Sequence, residues 1–247
     1  MEPVIQFENV VKRLGGRDVL NGLNLTVHRG ESFVIMGPSG TGKSVTLRHA
    51  IGLMQADSGR VIVDGHDLAT IAPKDLIDLR RSMGYLFQEG ALINWLNVGD
   101  NVALPLRENN VEGLSDKQIR ERVEERLELV RLPGTWDKMP SEISGGMKKR
   151  VGLARALVTN PAIILYDEPN AGLDPEISMS TNLLIREVAD RMGITSIIVT
   201  HLLSCVRVVA DRVAMLEAGR VVVEGTREEF LNSKNERLLS FLGPDPD

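Results

Sequence analysis

The chain has almost no cysteine, no long apolar run, no excess of positive charge and no internal repeat. A single cysteine, Cys205, stands among 247 residues. It cannot form an internal disulfide, and beside Val206 its expected state is a buried, inert thiol. No stretch approaches the roughly 20 consecutive apolar residues that span a bilayer as a helix. Residues 1–8 lack the layout of a secretory leader, so the expected location is the cytoplasm. A formal net charge of −5 argues against a broad nucleic-acid-binding surface.

What is present is the composition of an ordinary globular chain. Hydrophobic residues make up 43% and charged residues 26%, which argues against wholesale disorder or a fibrous repeat. The length suits one large α/β domain, or a core that carries a smaller insertion. Residues 5–63 read as short β-rich runs, 22–27 and 32–36 among them, with Gly-rich turns at Gly15 and Gly16 and at Arg29 and Gly30. Residues 91–160 read as helical. There Ser115 and Gln118 form a capping box, and Ile119, Val123, Leu127 and Val130 recur at helical spacing. The apolar run 162–166, the helix-like 176–191 and the β-branched run 195–200 then alternate as in a parallel α/β sheet. Two more short strands flank Gly219, and helical pieces follow to Leu242. The tail at 243–247 is expected to be flexible.

Gly37, Pro38, Ser39, Gly40, Thr41, Gly42, Lys43 and Ser44 match G-x-x-x-x-G-K-[ST], between an apolar strand and a helix-like segment, which is the context this pattern requires. Such a loop curls so that consecutive backbone N–H groups face phosphate oxygens, and the helix N-terminus adds partial positive charge. Lys43 is placed to reach the β and γ phosphates, and Ser44 to give its hydroxyl to Mg²⁺. The apolar run at 163–166 ends in Asp167 and Glu168, two acids at the carboxyl edge of a parallel sheet, where ligands bind. Asp167 is read as holding Mg²⁺ and Glu168 as aligning the attacking water. Phosphoryl transfer needs such alignment and charge stabilisation more than covalent chemistry.

Ser144, Gly145, Gly146 and Met147 resemble the signature of ABC transporter ATP-binding subunits, which usually reads Leu-Ser-Gly-Gly-Gln. Gln88, the Ala171 to Asp174 segment and His201 follow that family's order, and the resemblance covers essentially the whole chain. It implies an α/β fold of the ABC-type P-loop NTPase kind. The single domain would span 1–242: a RecA-like parallel-sheet core with an N-terminal antiparallel β subdomain at 1–90 and 161–242, and an inserted helical subdomain at 91–160. ATP and Mg²⁺ are the implied cofactors. Gln88 would touch the metal or the water and sense the nucleotide, and His201 would hydrogen-bond the γ phosphate. Ser144, Gly145 and Gly146 would donate to the nucleotide held by a second subunit, and Asp174 would bridge the two.

A finer resemblance lies in residues 86–106, 144–150 and 166–175, which look like the ATPases of Mla-type and other MCE-associated lipid transporters. It implies a homodimer beneath an integral membrane permease, at the cytoplasmic side of the bacterial inner membrane, powering phospholipid transport. An MCE-domain lipid-binding protein and a small STAS-like subunit are the further partners it implies, and no nucleic acid. The rival within the fold is the ATPase of a small-solute importer. From another class, soluble ABC proteins of nucleic-acid maintenance or translation usually carry long coiled-coil insertions or two fused ATPase units, which this chain lacks. Glu168 and His201 argue against a purely regulatory nucleotide-binding module. Three expectations are left for the structure. Trp95 and Leu96 read either as a partly buried pair or as a permease contact, and Lys148, Lys149 and Arg150 read as a solvated helical face. Leu14 stands where an aromatic platform for adenine is usual.

Overall fold

In the computed structural model, residues 2–108 and 113–242 are described; the tail at 243–247 lies outside them. Strands β1 (Pro3–Leu14) and β2 (Arg17–His28) form an antiparallel hairpin whose buried positions largely alternate with accessible ones, the period of a sheet covered on one face. At 12 residues each these strands are longer than the runs expected from sequence. Gly22, the first residue of the expected run at 22–27, lies inside β2 as a bulge: at φ 72 it is the extra residue where the pair Val10↔Leu23 gives way to Val11↔Asn21.

The chain continues through β3 (Ser32–Met36), α1 (Lys43–Ala50), β4 (Ser58–Val63), β5 (His66–Asp67), α2 (Pro73–Arg81) and β6 (Met83–Leu86). Helices α3 (Val98–Glu108), α4 (Asp116–Leu129) and α5 (Gly145–Leu157) follow. Then come β7 (Ile163–Asp167), α6 (Pro175–Met192), β8 (Thr195–Thr200), α7 (Leu203–Val209), β9 (Arg212–Glu217), β10 (Arg220–Thr226), α8 (Arg227–Leu231) and α9 (Glu236–Leu242). Among the described residues the strands form a four-stranded sheet, β2-β1-β4-β5, and a six-stranded sheet, β10-β9-β3-β8-β7-β6. The second sheet is parallel except for β10. The expected α/β class and parallel core are present.

Every residue of β3, β7 and β8 is buried. This is why their sequences are nearly continuous apolar runs rather than alternating ones. Along β7 the parity of the strand divides the core. Ile163 and Leu165 join the cluster that contains Leu47 of α1, whereas Ile164 and Tyr166 join the cluster that contains Val102, Val123 and Val151 of α3, α4 and α5. Helix α4 starts at the expected capping box of Ser115 and Gln118 and buries Ile119, Val123 and Leu127. Each such aliphatic burial contributes about 1.5–3 kcal/mol.

Candidate active site

Residues 37–44 link β3 to α1. Gly42, at φ 103, caps the helix, and a Cβ there would come within 2.8 Å of the Val19 carbonyl oxygen and 2.9 Å of Leu20 Cδ2. Only glycine fits the turn. No acidic side chain lies in the first turn of α1, so the partial positive charge of its N-terminus is left for an anion. Lys43 is 5% exposed, and its Nζ donates to the carbonyl oxygens of Gly37 at 2.7 Å and Pro38 at 3.0 Å. Burial lowers its pKa from the ordinary lysine value, with the charge of Glu168 opposing the shift.

Asp167 lies on the same face of β7 as Leu165, toward α1. Ser44 Oγ donates to Asp167 Oδ1 at 2.7 Å, and the Tyr85 hydroxyl donates to Oδ2 at 3.1 Å. A hydroxyl beside a carboxylate is a hard-oxygen donor set that suits Mg²⁺, which keeps most of its waters and takes few protein ligands.

Glu168 adopts φ 48, the left-handed region. For a residue with a Cβ this costs about 1–2 kcal/mol. It is held there by its N–H, which donates to the Val199 carbonyl at 3.0 Å, and by its carbonyl, which accepts from Ala171 N–H at 3.1 Å. Its carboxylate reaches two cations or donors at once: Oε1 is 3.6 Å from Lys43 Nζ, and Oε2 is 3.0 Å from His201 Nδ1. These groups border an open cavity of about 410 Å³, lined by Leu14, Val19, Ser39, Gly40, Gly42, Lys43, Ser44, Val45, Gln88, Glu168, Ala171 and His201. Leu14 does face this cavity, with Val19 beside it.

Ser144, Gly145, Gly146 and Asp174 are not among the described residues that line the cavity. Ser144 caps α5, its Oγ accepting from Met147 N–H at 3.3 Å, and Asp174 caps α6, its Oδ1 accepting from Ile177 N–H at 2.9 Å. Ser144, Gly145 and Asp174 are exposed. One chain therefore brings together the phosphate loop, both carboxylates, Gln88 and His201, and presents the signature residues elsewhere on its surface.

One expectation is corrected, and one of two open readings is removed. Lys148, Lys149 and Arg150 do not form a solvated face: Lys149 is 7% exposed and donates to the Ala171 carbonyl, and Arg150 donates to Ser180 Oγ at 2.9 Å. The helix carries Lys149 inward, against the loop after Glu168, and brings Arg150 to α6. Trp95 is not part of a buried pair, because it is 81% exposed while Leu96 is half-buried. Its loop is nonetheless held firmly. The fully buried Asn101 donates through Nδ2 to the carbonyls of Ile93, Leu96 and Asn97, each at 3.0 Å, and accepts from Ile93 N–H at 2.7 Å. Arg155 of α5 donates to the carbonyls of Gly90 at 2.7 Å and Ala91 at 2.8 Å.

Sequence reasoning missed Tyr85, Asn101 and the inward role of Lys149. Tyr85 carried one signal, a phenol in an apolar strand ending near Gln88. Asn101 and Lys149 carried none, since their partners are backbone carbonyls that no side-chain pattern marks.

Residues 20–171 match the sequence family described as ABC transporter. Over 96% of its length this chain is 42% identical to the "Probable ribonucleotide transport ATP-binding protein mkl" of Mycobacterium tuberculosis strain H37Rv, and over 98% it is 42% identical to the methionine import ATP-binding protein MetN of Rhizobium johnstonii. It spans 66% of the length of each of these two relatives. It is 39% identical over 99% of its length to the intermembrane phospholipid transport system ATP-binding protein MlaF of Haemophilus influenzae, of which it spans 92%. Among solved structures, the dimeric ATP-binding cassette MJ0796, in a post-hydrolysis state bound to ADP and Pi, superimposes with a TM-score of 0.83 at 32% identity, covering 90% of this chain and 98% of that one. The fold is that of an ABC ATPase, and this chain belongs to the ABC transporter family.

Proposed function

We propose that this chain binds ATP and hydrolyses it to drive an ABC transporter, acting as a homodimer. Each nucleotide would be held between the phosphate loop of one copy and Ser144, Gly145 and Gly146 of the other. The observation that supports this most directly is the convergence of Lys43, Ser44, Gln88, Glu168 and His201 on one cavity. The exposure of the signature residues away from that cavity, and the dimeric state of the related cassette, support the two-copy arrangement.

The roles follow from position. Backbone N–H groups of residues 39–44 and Lys43 Nζ would donate to the β and γ phosphates and place the γ phosphorus. Ser44 and Asp167 would hold Mg²⁺, with Gln88 close by; the ion, when bound, supplies charge neutralisation on phosphate oxygens. Glu168 accepts a hydrogen bond from the attacking water and aligns it with the P–O bond that breaks. His201 would donate to the γ phosphate as negative charge gathers there. Asp174 lies beside the partner copy. Leu14 and Val19 offer the base an aliphatic surface.

The cargo reading is phospholipid, moved between membranes. It is supported by the Ser-Gly-Gly-Met form of the signature, by residues 86–106 and by the likeness to a phospholipid transport ATPase. Partners would be an integral permease, docked on the loop that projects Trp95, together with an MCE-domain protein and a STAS-like subunit, at the cytoplasmic face of the inner membrane. None of the helices among the described residues is long and apolar enough to cross a membrane, so the membrane-spanning part is assigned to the permease. Identity to a methionine import protein favours a small-solute importer as the second reading. Purifying the membrane complex through a tag on this chain separates the two. Co-purified phospholipid, with ATPase activity stimulated by phospholipid, supports the first reading. Stimulation by methionine or another small solute with its binding protein supports the second, and a soluble ATPase that captures no membrane protein overturns both.

A further inference from the structure

One hydroxyl at the site has no part in the mechanism above. Tyr85 pairs with Leu165 across β6 and β7. Side chains two apart on a strand share a face, so Asp167 follows Leu165 on that face, one diagonal step nearer the carboxyl end. A tyrosine is long enough to cover that step, and its hydroxyl reaches Asp167 Oδ2 at 3.1 Å. The other oxygen, Oδ1, accepts from Ser44 at 2.7 Å. The two oxygens of this 7%-exposed carboxylate thus have separate partners. Only one of those partners, Ser44, belongs to the phosphate loop.

The phenol is itself fixed. Its ring lies against Phe87, with centroids 4.3 Å apart, and packs on the cluster that contains Leu165 and Leu47. A phenolic hydroxyl is a donor at neutral pH, and a carboxylate oxygen can only accept from it. Tyr85 also lies three residues before Gln88 on the same segment, so it ties the carboxylate to the strand that leads into Gln88.

We propose that Tyr85 is a positioning residue for the divalent cation: its hydroxyl anchors Asp167 Oδ2 and thereby aims Oδ1 at the ion that Asp167 and Ser44 would share. This rests on the site reading above. Groups that hydrogen-bond a metal-binding side chain typically alter metal affinity by about 10–100-fold when removed. A merely structural tyrosine would act on folding instead.

Tyr85→Phe keeps the ring and its packing on Phe87 and deletes only the donor. The test uses the full chain with a non-hydrolysable ATP analogue. Analogue affinity and thermal midpoint are measured in EDTA, and Mn²⁺ binding to the chain with the analogue is followed by electron paramagnetic resonance. The expected result is a Mn²⁺ dissociation constant raised about tenfold or more, with analogue affinity and thermal midpoint in EDTA unchanged. Wild-type Mn²⁺ affinity in Tyr85→Phe overturns the inference alone. A fall in thermal midpoint and in metal-free analogue binding, matching any loss of Mn²⁺ affinity, marks a structural role and overturns it as well. Analogue binding by the wild type that does not respond to a divalent cation overturns the site reading and this inference together.

Discussion

His201 and Glu168 are paired through Nδ1 and Oε2 at 3.0 Å, although 33 residues separate them in sequence. The pair exists because β7 and β8 are adjacent parallel strands and each residue stands just past its strand's carboxyl end. Glu168 meets the histidine from a left-handed backbone. His201→Ala should lower kcat by about 10²–10³-fold, the loss seen when one donor to developing charge is removed. Affinity for a non-hydrolysable ATP analogue should hold, because the phosphate loop is intact. Single-turnover rates beside equilibrium binding check this; loss of binding with an unchanged rate would move His201 from catalysis to nucleotide capture.

Trp95 should matter to assembly and not to folding. A side chain 81% exposed contributes within about 0.5 kcal/mol to stability in most surface contexts. Trp95→Ala should leave the thermal midpoint and nucleotide affinity of the isolated chain unchanged, and should reduce co-purification of the permease. Asn101→Ala should disorder the same loop and give the same loss of permease together with a lowered midpoint. Normal assembly of Trp95→Ala would remove this loop from the docking surface.

Leu14 and Val19 border the cavity, and neither presents an aromatic ring. A ring stacked on a base contributes about 1–3 kcal/mol. Affinity should therefore come mainly from the triphosphate, with modest preference for ATP over GTP. Leu14→Tyr should tighten ATP binding by up to about tenfold, equal to about 1.4 kcal/mol. Titration of both proteins with ATP and GTP analogues checks this. A strong ATP preference in the wild type with no gain in the variant would mean that another group holds the adenine.

Burial pushes the Cys205 thiol up to about 12. A raised thiol pKa suppresses the reactive thiolate, leaving about one molecule in 10⁴ ionised at pH 8. Iodoacetamide should not label the native chain at pH 8 and should label it readily in denaturant. Rapid native labelling would show that the core under α7 opens.

Much of this was legible in sequence, and the reasons are local. The phosphate loop announces itself because glycine is required in it: a Cβ at Gly42 would collide with Val19 and Leu20, and Gly40 stands at positive φ, so its chemistry is written as a pattern. Strands β7 and β8 read correctly because burial on both faces demands unbroken apolar runs. The run that begins at Gly22 reads too short in sequence because a bulge is visible only once the partner strand is known. Lys149 misled for a related reason. A lysine on a helix looks solvated unless the carbonyl that receives it is seen, and the two readings of Trp95 could not be separated before the fold turned it outward. Tyr85 acquires a role only from strand register, which is a property of pairing and not of either strand alone.

The central claim is that Glu168 aligns water in a nucleotide site completed by a second copy. The direct measurement is ATP turnover by purified Glu168→Gln, with molecular mass followed by light scattering with and without MgATP. Glutamine keeps the shape and the capacity to accept a hydrogen bond but loses the charge that orients and polarises water. Turnover should fall by at least about 10²-fold while MgATP binding persists and ATP-dependent dimers accumulate. Lys43→Ala, with its phosphate contact removed, should form no such dimers. Normal turnover in Glu168→Gln, under conditions where the wild type is active, would contradict it.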